Sequence, residues 1–263
     1  VCQIAINSLY LNLRMTTFAQ IIREHAQTRP TSPALSFDGS TWSFADLHEL
    51  SSRSAQALLN EGVKAGDRVA LLTKNRAEFY ELLIACSKVG AILVGLNWRL
   101  AAIEIEAIVA DAQPTVVFLG PDEQHLLNDN ARSSNPLMKV IVFGNDYTNW
   151  RSPNDLDTGH VGQPDDVALL LYTSGTTGLP KGVMLSNNNF LAIAPMIEQI
   201  WELKEDSVNL AAMPSFHIGG GGWAMAGMYM GCSTVIVRMM DPVALVKLIG
   251  DKRITHGFLV PAV

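Results

Sequence analysis

Apolar residues recur at helical spacing near the start of the chain, then tighten to a strand-like period, and the two patterns alternate to its end. Phe18, Ile21 and Ile22 mark a helix over Phe18–Thr28 that stops ahead of Pro30. Residues 34–37 and 41–44, joined by Asp38-Gly39, read as a β-hairpin. Ser43, with Asp46 three positions on, opens a second helix; Leu47, Leu50, Ala55, Leu58 and Leu59 supply its apolar face and Gly62 ends it. Arg68–Leu72 is a buried strand, and Asn75 is expected to cap a helix running to Val89. Further strands are expected over 92–95, Val116–Leu119 and 140–143, with helices over 103–110 and 122–131. The stretch 145–166, rich in Pro, Gly, Asp and Asn, reads as a linker. Strands over 167–172 and 182–185 follow, then a helix capped by Ser186, a strand over Val208–Ala211, and a closing run of helix, strand, helix and strand. This alternation predicts an α/β fold, organised as a first subdomain over 15–150 and the start of a second over 166–263.

Two weakly apolar segments could imitate membrane signals. Residues 1–14 carry no positive charge before Arg14 and no small-residue cleavage site, so they are expected to be a disordered extension ahead of Met15. Residues 218–237 have no charge and contain Gly227-Met-Tyr-Met-Gly231, a small-xxx-small pattern. Gly231-Cys232-Ser233 breaks this run into a short helix and a β-branched strand, each too short to span a bilayer, which predicts buried core.

Composition narrows the class. The 263 residues are 48% hydrophobic and 17% charged, as in folded globular proteins, and the net charge of -6 offers no basic stripe to a nucleic acid. Cys2, Cys86 and Cys232 are too few and too far apart for a disulfide framework or a metal site. A reducing, cytoplasmic compartment is therefore expected, with peripheral membrane contact left open. His25, His48, His125, His160 and His256 have no ligand spacing between them.

One stretch carries chemistry: Tyr172-Thr-Ser-Gly-Thr-Thr-Gly-Leu-Pro-Lys-Gly182, placed directly after an apolar strand. Gly175 and Gly178 let backbone N–H groups approach an anion closely. Thr173, Ser174, Thr176 and Thr177 add hydroxyl donors, and Lys181 adds a positive charge. The composition is that of a phosphate cradle. It is not a Walker A loop, because Pro180 and Gly182 flank the lysine where that motif needs Gly and Ser or Thr. A strand is expected after it, so loop donors rather than a helix dipole must do the binding.

The string resembles the AMP-binding signature of the adenylate-forming superfamily, which includes acyl- and aryl-CoA synthetases, luciferases and peptide-synthetase adenylation domains. Ala65-Gly-Asp-Arg-Val-Ala-Leu71, Lys88-Val-Gly-Ala-Ile-Leu-Val-Gly-Leu-Asn-Trp-Arg-Leu100 and Met213-Pro-Ser-Phe-His217 are similar to further stretches of that family. Gly95 stands where the family usually has proline, which is expected to loosen a turn without touching the chemistry. The resemblance implies the N-terminal large domain of an acyl-CoA synthetase, with two αβ subdomains on mixed or parallel sheets. It also implies truncation: no Tyr-Gly-x-Thr-Glu segment is present, and Val260-Pro-Ala-Val263 closes the chain where the family continues into a lysine-bearing small domain.

The implied reaction joins a carboxylic acid to ATP as acyl-AMP, releasing pyrophosphate, after which a coenzyme A thiol displaces AMP. Thr173, Ser174, Gly175, Thr176, Thr177, Gly178 and Lys181 are then expected to hold the β- and γ-phosphates, with Thr173 also on Mg²⁺. His217 is expected beside the substrate carboxylate. Relatives that activate amino acids carry Asp after the Phe; here His217 follows Phe216, leaving a substrate ammonium without a partner and favouring a fatty or other uncharged acid. Gly219 to Gly222 and Trp223 either make room for it or pack closely. The alternatives are a silent nucleotide- or acyl-binding fragment, an acyl-AMP ligase that delivers to a carrier protein, and a kinase or NTPase, which the failed Walker A match opposes.

Overall fold

The computed structural model describes residues 16–173 and 180–260. Within them the chain builds two sheets. The six-stranded sheet has the order β6-β5-β3-β4-β7-β8, from Lys139–Val142, Val116–Leu119, Arg68–Leu72, Ile92–Leu96, Val167–Thr173 and Lys181–Ser186. All its neighbours are parallel except β7 and β8. The five-stranded sheet has the order β11-β9-β10-β1-β2, from His256–Gly257, Val208–Ala211, Ser233–Ile236, Pro33–Phe37 and Ser40–Ser43. Each sheet takes strands from both sides of residues 151–166, so the layers are not successive stretches of chain.

The period-two pattern explains why helices cover both faces of the six-stranded sheet. Val69, Leu71, Leu93, Val116 and Phe118 point into one core, which is shared with the helices α1 (Phe18–Thr28), α2 (Phe44–Asn60) and α3 (Ala77–Val89). Ala70, Leu72, Val94, Val117 and Leu119 point into a second core under α4 (Ala102–Ala112), where Ile105, Ile108 and Val109 meet them. Helix α3 touches β4 and β7 of one sheet and β1 of the other. It is buried almost all round, as a helix between two sheets must be.

Several local expectations change. Residues 122–131 form no single helix: a 3-10 turn over Gln124–Leu126 precedes α5 (Asp129–Ser134), which Asn128 caps by accepting from Ala131 N at 2.8 Å. The supposed linker starts as a helix, α6 (Asn145–Trp150), because Tyr147 and Trp150 stack at 5.5 Å and join Phe118 and Phe143 in an aromatic cluster. The rest of it is a strap tied down along its length. Arg53 Nε donates to the Ser152 carbonyl at 2.8 Å, Arg23 pairs with Asp157 at 2.5 Å, Thr158 Oγ1 donates to the Lys88 carbonyl, and Thr17 Oγ1 donates to the Val161 carbonyl at 3.0 Å. Asn75 does not cap α3; Arg76 holds that position and Asn75 is used elsewhere.

The uncharged run resolves into one helix, α9, and one strand, β10. After α7 (Asn187–Leu191) and α8 (Ala194–Gln199), α9 (Ile218–Met230) ends at Gly231, whose φ of 72° is left-handed, and β10 follows before α10 (Pro242–Asp251). A Cβ at Gly227 would lie 2.6 Å from both Asn209 Nδ2 and Thr234 Oγ1, so the small residue serves helix-on-strand packing. No described helix is long and apolar enough to cross a membrane. Cys86 and Cys232 are buried free thiols whose pKa values burial raises, the latter to about 12.

Candidate active site

The carboxyl ends of β3, β4, β5 and β7 share one edge of the six-stranded sheet, which is where open α/β sheets take their ligands. Strand β7 ends there at Thr173, and β8 begins at Lys181, its direct partner in the antiparallel register. Both residues are exposed, and Thr173 Oγ1 donates to the Lys181 carbonyl at 3.5 Å. The ladder thus brings the first hydroxyl and the lysine of the loop together at its base. Ser174, Gly175, Thr176, Thr177 and Gly178 lie outside the described residues. At the root of the loop Tyr172 Oη donates to Asp111 Oδ2 at 2.5 Å, and burial together with that bond raises the pKa of the phenol.

His217 stands exposed at the N-cap of α9, and Gly219 N donates to its Nδ1 at 3.1 Å. In the neutral ring that bond leaves the proton on Nε2, so the imidazole offers an N–H to whatever approaches the edge. Its approach is set by the segment before it. Gly95 lies in β4, within the strand expected over 92–95 and not in a turn, between Leu71 and Leu171. A Cβ there would lie 3.1 Å from Phe216 Cα and 3.3 Å from Leu171 Cδ2. The strand that leads to the loop and the segment that leads to His217 therefore meet over one glycine, which does touch the site.

The four glycines that open α9 each cost about 1 kcal/mol of helix propensity relative to Ala, and they divide between two uses. A Cβ at Gly220 would lie 2.1 Å from the Pro214 carbonyl oxygen, and one at Gly221 2.7 Å from that of Ser215, so these two permit backbone to pack on backbone. Gly219 and Gly222 instead line a cavity of about 310 Å³. Trp223 and Ile218 continue its wall, Leu185, Phe190, Ile193 and Trp201 face them, and Phe258 closes one side. Apart from Asn189, every lining side chain is apolar. Those facing residues come from segments that carry no motif, and only the fold assembles them.

Among the described residues no group of three or more His, Cys, Asp or Glu side chains could hold a metal ion. The family described as AMP-binding enzyme matches the chain over residues 22–263. A fatty acid–[acyl-carrier-protein] ligase, ScoC, of Streptomyces coeruleorubidus is 37% identical over 256 residues, covering 95% of this chain and 49% of that protein. A feruloyl-CoA synthase of an Amycolatopsis species is 33% identical over 237 residues, covering 90% of this chain and 47% of its own. The N-terminal domain of FACL13 from Mycobacterium tuberculosis superposes with a TM-score of 0.84 at 25% identity, covering 94% of this chain and 63% of that one. The chain spans about half the length of the curated relatives it matches.

Proposed function

We propose, from the premise that this chain belongs to the AMP-binding enzyme family, that it carries the nucleotide loop and acid pocket of an ATP-dependent acid–thiol ligase. The observation that carries the reading is the apolar cavity of about 310 Å³ that begins at Gly219, two residues from an exposed His217. A pocket of that size with one polar group near it suits an acid whose carboxylate stays at the rim while its uncharged body is buried. ScoC and feruloyl-CoA synthase differ in the acid named, fatty against aryl, and both lack a substrate ammonium. We assign a fatty acid, because the wall is aliphatic and aromatic apart from Asn189 and the indole N–H groups of Trp201 and Trp223.

In this reading the carboxylate oxygen attacks the α-phosphorus of ATP, the bond to the β-phosphate oxygen breaks, and pyrophosphate leaves; a thiol then displaces AMP. Adenylation needs neutralisation of the leaving charge more than it needs a proton carrier. Lys181 and the donors at Thr173, Ser174, Gly175, Thr176, Thr177 and Gly178 supply part of it. Thr173 is the residue that would hold Mg²⁺, which would add positive charge against the leaving pyrophosphate. His217, donating through Nε2, orients the carboxylate. Coenzyme A is the thiol in the name of feruloyl-CoA synthase, and the resemblance to ScoC favours a carrier protein as the second reading.

The test is ATP binding combined with ATP–pyrophosphate exchange in the presence of palmitate, benzoate or amino acids. Binding, with exchange stimulated by palmitate most strongly and by no amino acid, is expected, and Lys181→Ala with Thr176→Ala should abolish it. Failure to bind ATP overturns the reading. Binding without exchange for any acid replaces it with that of a silent nucleotide binder.

A further inference from the structure

The segment Met213-Pro-Ser-Phe-His217 bridges the two sheets, and a side chain far away in sequence grips it. Asn75 follows β3 of the six-stranded sheet and is only 5% exposed. Its Nδ2 donates to the Met213 carbonyl at 2.9 Å and to the Val237 carbonyl at 3.0 Å, while its Oδ1 accepts from Ser215 N at 2.8 Å. Met213 follows β9 and Val237 follows β10, so one amide ties the carboxyl ends of two strands of one sheet to the carboxyl end of a strand in the other. Two donors and an acceptor on one short planar group are available only from Asn at this reach; Asp cannot donate and Ser lacks the second donor. The amide orientation is fixed too, since turning it over would set the NH₂ against the Ser215 N–H and the oxygen against two carbonyls.

From its other side the segment rests on β4 at Gly95, where the missing Cβ lets Phe216 Cα approach. The turn is closed by His217 N donating to the Pro214 carbonyl at 3.1 Å, and the His217 carbonyl then accepts the first bonds of α9, from Gly220 N at 3.0 Å and Gly221 N at 2.9 Å. The ring of His217 is itself exposed, and among the described residues only Gly219 N holds its Nδ1. Its place is therefore inherited from backbone that Asn75 and Gly95 clamp.

We infer that Asn75 is the positioning residue for His217: its three hydrogen bonds hold the 213–217 turn so that the imidazole presents Nε2–H toward the substrate edge. The catalytic consequence rests on the function proposed above, while the placement can be measured without turnover. Histidine ¹⁵N shifts recorded near pH 8.5, above the ordinary imidazole range, with His217 assigned by H217Q, should show one tautomer with a pyridine-like Nδ1. Asn75→Ala should give a tautomer mixture while retaining a cooperative melt. Asn75→Asp keeps the acceptor for Ser215 N and loses both donations, and Gly95→Ala presses Phe216 from below; each should move the His217 signals, and they carry the test if Asn75→Ala does not fold. Unchanged His217 shifts in the folded variants overturn the inference.

In pyrophosphate exchange, Asn75→Ala should lower kcat about tenfold to a hundredfold, as expected for a misplaced catalytic group, with KM for ATP unchanged. It should add nothing in an H217A background, and additive losses would likewise refute it. Absence of exchange in every protein, the unmutated chain included, counts against the proposed function and leaves the ¹⁵N result to decide the placement.

Discussion

Lys88 is fully buried, and among the described residues its ammonium hydrogen-bonds to neutral partners: Ser52 Oγ at 2.7 Å, the His48 carbonyl at 2.9 Å and His48 Nδ1 at 3.2 Å. Burial outweighs the attraction of Asp157 and brings its pKa from 10.5 down to about 7, with Arg23 adding to the fall. A lysine whose pKa falls on folding binds its proton more tightly in the unfolded chain, so stability rises with pH between about 7 and 10.5 and is lost as pH falls through that window. From pH 7 to about pH 8.5 the linkage relation gives a gain of about 1.6 kcal/mol. Cys86 and Cys232 act oppositely, because their thiols ionise only when unfolded, but that offset is about 0.3 kcal/mol by pH 8.5. Lys88→Met keeps the volume and leaves Ser52 Oγ donating to the His48 carbonyl at 2.8 Å. Urea unfolding followed by tryptophan fluorescence at both pH values should show the gain in the unmutated chain and none in K88M. Equal pH slopes in the two proteins would refute the claim that Lys88 pays for its burial with its charge.

Gly220→Ala should destabilise by about 3 kcal/mol or more, since its Cβ meets backbone oxygens that cannot move aside; a urea midpoint near that of the unmutated chain would contradict this. Gly222→Leu should fill the apolar cavity and abolish stimulation of exchange by palmitate while leaving the affinity for ATP within about twofold, read by titration with each ligand. Arg151→Met should cost about 3 to 5 kcal/mol, because it strips Glu81, 3% exposed, of a bidentate partner at 2.9 and 3.0 Å and leaves it to Tyr147 and Ser54; denaturant unfolding measures it.

Residues near one another in sequence were legible without coordinates. The apolar runs of β3, β4 and β5 announced strands, the first of them buried, the Ser43–Asp46 capping box opened α2 as expected, and Gly231 split the uncharged run where a left-handed residue was needed. The string from Tyr172 to Gly182 suggested the proposed phosphate site because its hydroxyls, glycines and lysine are adjacent in the chain. What local pattern misassigned, it misassigned for tertiary reasons. Asn75 has the look of a helix cap, and two carbonyls and an amide from the other sheet claimed it. Gly95 has the look of a loosened turn, and a neighbouring segment needed its missing Cβ. Residues 145–166 have the composition of a linker, and an aromatic cluster and Arg23 bound them to the core. The apolar cavity is the extreme case: its walls come from β8, α7, α9, Ile193, Trp201 and Phe258, and no spacing within any of them reports a pocket. Sequence determined the elements and supplied the loop for which phosphate binding is proposed, because those depend on neighbours along the chain. The fold alone decided where His217 stands and what it faces, because that depends on bonds between residues more than a hundred positions apart.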